Sequence, residues 1–373
     1  MKFLFNATTN IAGGGAKNSA AFIQQAALSN QHDWHFAVSP QVADIVFKWG
    51  VPNDQITIFE QSPARSHDAR RRLKMLEQEG GFDLVYTMAG PAYVKFSGLH
   101  IMGISNPYIS HADIGTFMAT RPAGRWLPDA LKIAYQAYHA RNAQRLVFQT
   151  DTARQSFCRR LNFSRDRTDV IPNAFDAAGF SSVFPALFGS SIQVLVPAVA
   201  YPHKMLGRIP EIASRCVEMA PNRRISFVLT VSPGSAEWAG IRSEAERRSV
   251  SDLVSTVGVY NYADVGRIFS ACDIVMSLSV LETFSATPLE AFGSSRPYIS
   301  SDRPWAREIS GNAALYVDPF SASDVASAIL QLVDDEQLRD GLVRAGREII
   351  ELYSDQSARY RNIIKTLEAN FIE

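Results

Sequence analysis

The stretch Ile274–Asp302 constrains the fold more than any other part of the chain, because a strand, a turn, a helix and a second strand follow one another in it. The run Ile274–Leu281 is apolar and uncharged but too short to span a membrane, so it predicts a buried strand of a parallel sheet. A polar turn follows at 282–286. The segment Thr287–Glu290, TPLE, has the form of a capping box with proline at the first helical position. It therefore predicts a helix that begins at Pro288.

A strand that leads through a turn into a helix N-terminus is a typical anion-binding arrangement. Unpaired backbone N–H groups and the positive end of the helix dipole meet at such a place. Two carboxylates flank the turn, with Glu282 at its start and Glu290 one turn into the helix. Two interpretations are open: the glutamates end a strand and close a capping box, or they bind hydroxyl groups on either side of a diphosphate.

The residues of this stretch resemble those of a known enzyme family. The glutamates are spaced E-x7-E, phenylalanine stands two places after the first, and EA and P-Y-I-S-S-D follow. This pattern is similar to the signature of the retaining GT-B glycosyltransferases of family 4. The resemblance implies that Glu282 is catalytic and that it holds the donor sugar and phosphates with the backbone of Thr283, Phe284 and Ser285. It also implies that Glu290 binds the ribose.

Length and composition set the broad class of the protein. A chain of 373 residues exceeds a single hydrophobic core, and its formal net charge of zero favours a globular protein over a nucleic-acid binder or a disordered chain. No signal peptide or membrane span is predicted. The three cysteines are widely spaced and form no C-x-x-C, which favours reduced thiols over a zinc site. We therefore expect a cytoplasmic protein.

Short apolar runs alternate with helical segments along the chain, which predicts parallel, doubly wound α/β sheets. We expect an acceptor-binding domain at 1–180, a nucleotide-sugar-binding domain at 190–355 and a separate C-terminal helix at 356–373. The irregular segment Ala177–Ser191 is the predicted linker. The resemblance implies the GT-B architecture, in which two Rossmann-like domains face across a cleft and the C-terminal helix crosses back to the first domain.

Three glycines, Gly13–Gly15, follow the predicted strand Lys2–Thr8. Glycines at a strand-to-helix turn allow a ligand to approach the backbone closely, although a plain tight turn is the alternative. They do not form G-x-G-x-x-G, so the dinucleotide fingerprint is absent. The resemblance implies that Gly14 and Gly15 face the donor sugar and the acceptor.

A histidine, His111, follows the predicted strand His100–Ile104. It is either an ordinary loop residue or, as the resemblance implies, a catalytic residue that contacts the donor sugar. Asp113 is a candidate to orient the imidazole ring.

A lysine, Lys204, follows the predicted strand that opens the second half, Ile192–Pro197. A lysine in such a loop is either solvated or a point charge for phosphate. The resemblance implies that Lys204 neutralises the donor diphosphate. The arginine that the family usually has five residues earlier is Val199 here, so Lys204 acts alone or together with Arg208.

A further predicted strand, Thr256–Tyr260, lies in the second half. The resemblance implies that the backbone near Val259 contacts the nucleobase.

The zero net charge conceals an uneven distribution. Residues 1–180 contain 19 lysines and arginines against 14 aspartates and glutamates, and the excess is concentrated at Arg65 with 70–74 and at 121–145. Charged runs of this kind are usually solvated helix faces. The alternative is a patch for an anionic membrane surface or a pyrophosphate-linked acceptor.

These observations together predict a retaining glycosyltransferase that moves a hexose from a nucleoside diphosphate sugar to a hydroxyl of a sugar or a lipid-linked sugar. Bacterial surface polysaccharide or glycoconjugate synthesis is the expected setting, with peripheral association at the inner membrane surface. The chain has no D-x-D tripeptide, and we expect no metal and no other cofactor.

Other interpretations remain open. They are a sugar-nucleotide epimerase or a phosphorylase on the same fold, and a catalytically weak sugar-nucleotide-binding partner protein. A nicotinamide dehydrogenase is the least favoured, because neither half opens with the dinucleotide fingerprint.

Overall fold

The computed structural model describes residues 1–11, 13–52, 54–180 and 188–372. The chain divides into two compact units. The first contains Met1–Met118, Pro122–Ala174 and Ser354–Glu373, and the second contains Ala119–Arg121 and Phe175–Tyr353. The chain thus leaves the first unit and returns to it at its C-terminal end. Within the predicted linker, residues 181–187 lie outside the described residues.

The first unit is built on a seven-stranded sheet in which every pairing is parallel. Its strands are β1 Lys2–Ala7, β2 Asp33–Val38, β3 Ile56–Ile58, β4 Leu84–Thr87, β5 Leu99–Ile104, β6 Arg145–Phe148 and β7 Thr168–Val170. They lie in the order β3-β2-β1-β4-β5-β6-β7.

The second unit is built on a six-stranded sheet that is also entirely parallel. Its strands are β8 Ser191–Val196, β9 Arg224–Leu229, β10 Val254–Thr256, β11 Ile274–Ser277, β12 Tyr298–Ser301 and β13 Ala314–Val317. They lie in the order β10-β9-β8-β11-β12-β13.

Helices lie between many of the successive strands of both units, and three more follow the last strand. They are α1 Gly13–Ser29, α2 Pro40–Lys48, α3 His67–Gly80, α4 Pro107–Ser110, α5 Ile114–Ala119, α6 Trp126–Ala140, α7 Asp151–Leu161, α8 Ile209–Met219, α9 Ala236–Arg247, α10 Val265–Ser270, α11 Thr287–Gly293, α12 Pro304–Ser310, α13 Ala322–Asp334, α14 Glu336–Ile350 and α15 Gln356–Ile372.

Both sheets share one topology, which confirms the predicted fold class of two Rossmann-like α/β domains. In each unit the second and third strands lie on one side of the first strand, and all later strands lie on its other side. The order therefore reverses between β1 and β4 in the first unit and between β8 and β11 in the second. Loops at the carboxyl ends of strands diverge at such a switch point, which leaves room for a ligand.

The C-terminal helix α15 belongs to the core of the first unit. Tyr360, Ile363 and Leu367 of α15 are buried in the same hydrophobic cluster as Phe5 of β1 and Phe22 of α1. The Tyr360 hydroxyl also lies 3.0 Å from the hydroxyl of Ser29 at the end of α1. Because these aromatic and aliphatic side chains are buried against one another in one cluster, α15 is an integral helix of the first unit.

A buried histidine in the first unit has a structural role. His100 is 1% exposed, and its Nε2 lies 2.9 Å from the hydroxyl of Thr87, which in turn accepts a hydrogen bond from Asn6 Nδ2. Burial lowers the pKa of His100 to about 3. The imidazole is therefore neutral at physiological pH and joins β1, β4 and β5 by side-chain hydrogen bonds.

Some predicted element boundaries were wrong. Gly13–Gly15 form the first turn of α1 instead of a loop before it, and β10 ends at Thr256 instead of continuing to residue 260. The strand predicted at Ile274–Leu281 ends at Ser277. Its pairing with β8 covers Ile274 and Val275 alone, and the buried residues 278–281 then run against the loop that follows β8.

Two further observations concern the whole described chain. No helix in the described ranges combines the length and the apolar character needed to cross a membrane. Cys158, Cys216 and Cys272 are free thiols, as the spacing predicted.

Candidate functional site

The site is built around two side chains from neighbouring strands of the second unit. Lys204 lies in a short 3-10 turn, Pro202–Lys204, that follows β8, and Glu282 lies in the loop that follows β11. The parallel pairing of β8 with β11 brings both loops to the switch point. There the Lys204 ammonium and Glu282 Oε1 form an ion pair whose side chains are 15% and 12% exposed.

A buried serine, Ser279, holds Glu282 in place. Its hydroxyl lies 2.7 Å from Glu282 Oε1 and 3.3 Å from the carbonyl oxygen of His203. The backbone N–H of Val280 also donates to that carbonyl, at 2.9 Å. The loops after β8 and β11 are thus bound to each other directly beside the ion pair. Sequence reasoning missed Ser279, although a polar residue at the end of an apolar run was the available signal.

The residue before Lys204 is a histidine that carries no charge at neutral pH. Burial lowers the pKa of His203 to about 4, and its ring stacks on Tyr201 with 5.6 Å between ring centroids. Lys204 is therefore the positive charge that this turn presents.

The loop between Glu282 and α11 presents backbone rather than side chains. The Phe284 ring packs edge-to-face on Tyr353 with 5.8 Å between centroids, which anchors the loop to the core of the second unit. Thr283 and Ser285 are 5% and 4% exposed. Among the described residues, no acceptor is found for the backbone N–H groups of Phe284 and Ser285. Backbone N–H groups without a protein acceptor can donate to a ligand, which makes this loop suited to an anionic ligand.

The predicted capping box at the start of α11 was wrong. The helix begins at Thr287, with Ala286 as N-cap and no side-chain capping bond, and the Glu290 N–H donates to the Ala286 carbonyl at 3.0 Å. Thr287 lies inside the first turn, so its hydroxyl is not in the N-cap position from which it would reach the Glu290 N–H. A capping box therefore does not account for a glutamate at the half-buried position 290.

Other residues of the second unit named from the sequence lie around these loops. Val199, where the family has arginine, is 59% exposed. Arg208 forms an ion pair with Glu211 of α8 at 3.0 Å. Val259 is 79% exposed in the loop after β10, next to Gly258, whose φ of 77° lies in the left-handed region.

In the first unit, Gly14 and Gly15 lie at the N-terminus of α1, beyond the carboxyl end of β1. A Cβ atom on Gly14 would have no other atom within 4 Å, and one on Gly15 would come no closer than 3.7 Å, to Asn10. The fold itself therefore does not demand glycine at these two positions, and the space beside their backbone is open.

His111 also lies in the first unit, at the C-terminal end of α4. Its Nδ1 is 2.8 Å from the hydroxyl of Ser110, which restricts the ring. The Asp113 carboxylate accepts the Thr116 N–H at 2.6 Å at the start of α5, and its role in orienting His111 stays a prediction.

The candidate residues divide between the two units. The first unit holds Gly14, Gly15 and His111, and the second holds Lys204, Val259, Glu282, Thr283, Phe284, Ser285 and Glu290. Among the described residues, no group of three or more His, Cys, Asp or Glu side chains is positioned to hold a metal ion.

Comparison with known families identifies the region that contains the ion pair. Residues 202–349 match the family described as glycosyl transferases group 1. This range includes Lys204, Glu282 and Glu290. The similarity to this family therefore concerns the second unit.

Two curated proteins are similar to the chain in sequence. A D-inositol 3-phosphate glycosyltransferase of Arthrobacter sp. is 24% identical over 292 residues, which cover 74% of this chain and 68% of that protein. The O-antigen chain mannosyltransferase RfbU of Salmonella typhimurium is 23% identical over 197 residues, which cover 52% of this chain and 51% of RfbU. The match thus spans about half the length of RfbU.

A solved structure extends the similarity to the whole chain. HepE of Anabaena, crystallised in complex with UDP-glucose, superposes with a TM-score of 0.73 over 99% of this chain and 100% of HepE. The sequences are 16% identical, so the likeness concerns the fold. The chain has the GT-B fold.

Proposed function

We propose that the protein is a retaining glycosyltransferase that transfers a hexose from a nucleoside diphosphate sugar to a hydroxyl group. The observation that carries this proposal is the Lys204–Glu282 ion pair at the switch point of the second sheet, inside the group 1 domain. The UDP-glucose complex of HepE, which has the same fold, also supports a nucleotide-sugar donor.

The donor diphosphate binds beside Lys204 in this proposal. Without a ligand the ammonium group is paired with Glu282, which Ser279 orients. A diphosphate that shares the ammonium leaves a Glu282 oxygen available to accept a hydrogen bond from a sugar hydroxyl. The N–H groups of Phe284 and Ser285 supply further donors to the phosphates. Glu290 contacts the ribose and the backbone near Val259 contacts the base.

The chemical step follows from this arrangement. The bond between the anomeric carbon and the diphosphate oxygen breaks, and the acceptor hydroxyl attacks from the face that the diphosphate leaves. The leaving phosphate takes the hydroxyl proton, so the anomeric configuration is retained. Lys204 and the first turn of α11 stabilise the charge that develops on the diphosphate. We assign contacts with the donor sugar and the acceptor to Gly14, Gly15 and His111, and we expect no metal requirement.

Donor binding is tested by thermal unfolding with UDP-, GDP-, ADP- and TDP-sugars. We expect one nucleotide to raise Tm, because a ligand at about 100 times its Kd adds roughly 2.7 kcal/mol to the free energy of unfolding. Lys204→Ala and Glu290→Ala should lose this rise, since each removes a donor contact. Lys365→Ala, at an exposed lysine of α15, is the matched control and should keep it.

The outcomes separate the alternatives. If no sugar nucleotide changes Tm, the donor site is refuted. If the protein binds a sugar nucleotide but releases no nucleotide with any acceptor, it is the catalytically weak sugar-nucleotide-binding partner protein. An epimerase or a phosphorylase is recognised by its products when no glycosyl acceptor is added.

The acceptor that we propose is a sugar or a lipid-linked sugar in the synthesis of a bacterial surface polysaccharide or glycoconjugate, at the cytoplasmic face of the inner membrane. RfbU, named as an O-antigen chain mannosyltransferase, is consistent with this role. A surface on helix α6 of the first unit supports the location.

Helix α6 exposes an apolar stripe bordered by basic residues. Leu127, Leu131 and Tyr138 share one face of the helix and are 71%, 63% and 68% exposed. Lys132 and Arg141 are exposed on or next to the same helix. Apolar side chains flanked by cations fit the interface of an anionic bilayer, where the leucines insert and the cations meet the headgroups.

Membrane association is tested by co-sedimentation with vesicles. We expect binding to vesicles that contain phosphatidylglycerol and little binding to pure phosphatidylcholine. Replacing both Leu127 and Leu131 by Ser should weaken binding about a hundredfold, because each buried leucine contributes about 1.5 kcal/mol. Leu352→Ser, at an 82% exposed leucine of the second unit, is the control. Equal binding of the double variant and the control would reject this surface.

A further inference from the structure

A small cavity lies in the first unit at the carboxyl ends of its central strands. It has a volume of about 20 Å³ and is lined by Met88, Ser105 and Gln149, the residues that directly follow β4, β5 and β6, and by Arg359 of α15. This volume accommodates one or two water molecules. It therefore suits the oxygen atoms of a single small group but not a sugar ring.

The charge of this cavity comes from Arg359, which is 5% exposed. Its Nε donates to the carbonyl oxygen of Pro172 at 3.1 Å. Across the ranges that the structure describes, no carboxylate lies within ion-pair distance of the guanidinium, and its two terminal nitrogens donate to no protein acceptor. Arginine stays protonated in proteins, so a buried positive charge faces the cavity without a negative partner.

An uncompensated buried charge is costly to a fold. Removing an ion from water is strongly unfavourable, and the single side-chain hydrogen bond to Pro172 offsets only part of this penalty. If Arg359 served only to hydrogen-bond α15 to the carbonyl group of Pro172, a neutral donor could make the same bond without the penalty of burying a charge. Charge complementarity at this position requires an anion.

We propose that Arg359 forms an oxyanion-binding site, which takes a carboxylate or phosphoryl group through the two terminal guanidinium nitrogens. Ser105 and Gln149 line the site with a hydroxyl and an amide, and apolar residues line the rest of it. This site lies entirely within the first unit and does not depend on the proposed transfer reaction.

The test compares the Tm of the full chain in inorganic phosphate, acetate and chloride at equal ionic strength. We expect a saturable rise with phosphate or acetate over chloride, of about 5 °C near 100 times the Kd. Arg359→Met, which keeps the length of the side chain, should abolish the rise and leave the response to the donor nucleotide intact. Lys204→Ala should do the reverse, so failure of this site and failure of the donor site are distinguishable.

A second variant separates anion binding from a structural role. Ser105→Leu fills the cavity but retains Arg359 and its bond to Pro172, and it should also abolish the rise. The inference is supported if the Arg359→Met variant has the same Tm in chloride as the wild type. Overturning results are a Tm of the wild type that is the same in phosphate, acetate and chloride, or a rise that survives Ser105→Leu.

Discussion

Lys204→Ala should lower kcat for sugar transfer by two to three orders of magnitude. Removing one preorganised group that stabilises developing negative charge typically costs about 10²–10³ in kcat. Lys204 is the cation that the turn after β8 presents to the donor diphosphate, and Val199 leaves no arginine five residues before it to compensate. The variant also leaves Glu282 poorly solvated beside Ser279, so Tm should fall as well.

The measurement is the release of nucleoside diphosphate at saturating donor and acceptor, using the donor that the stability panel identifies. Lys365→Ala serves as the control for loss of a lysine, and each assay is repeated with EDTA. We expect EDTA to leave the rate unchanged, since Lys204 supplies the charge that a metal would otherwise supply. Wild-type kcat in Lys204→Ala would contradict the proposed role, and a steep loss in EDTA that manganese restores would contradict a metal-free reaction.

Gly103→Ala should destabilise the first unit by about 3 kcal/mol, the upper end of the usual cost of overpacking. Gly103 lies in β5, between β4 and β6, and a Cβ atom there would lie 2.0 Å from the carbonyl oxygen of Met88. Because the contact is with backbone, it cannot be relieved by a side-chain rotation. The strands that form the edge of the Arg359 cavity would have to move apart.

The control for this variant is on the same segment. Gly98 directly precedes β5, and a Cβ atom on it would come no closer than 3.8 Å, to Glu77 Oε1. Gly98→Ala should therefore change the free energy of unfolding by less than about 1 kcal/mol. Urea denaturation of the two variants measures the difference. Equal stabilities would mean that β4 and β5 are not packed as closely as the structure indicates.

Much of the fold was predictable because it is encoded locally. The apolar runs that became β8 and β11, and the helical spacing of α8 and α13, are patterns of four to thirteen residues that any parallel α/β unit must contain. The E-x7-E spacing around α11 was equally local. Each of these signals depends only on residues that are close in sequence, so it can be recognised without knowledge of the tertiary structure.

The predictions that were wrong depended on packing that local patterns do not contain. The capping box at Thr287–Glu290 failed because the chain enters α11 from a buried loop that is anchored by Phe284 on Tyr353. The strand at residue 274 was shorter than its apolar run, because residues 278–281 pack against the turn after β8 instead of a neighbouring strand.

The amino-acid sequence by itself determined the alternation of strands and helices, the two-unit α/β class and the candidates Lys204, Glu282 and Glu290. Only the tertiary structure decided that Lys204 meets Glu282 across 78 positions of sequence, that Ser279 orients the pair, and that Arg359 lines a cavity of the first unit. The reason is physical. Periodicity reports which face of an element is buried, whereas the order of strands in the sheet determines which distant loops meet at its edge.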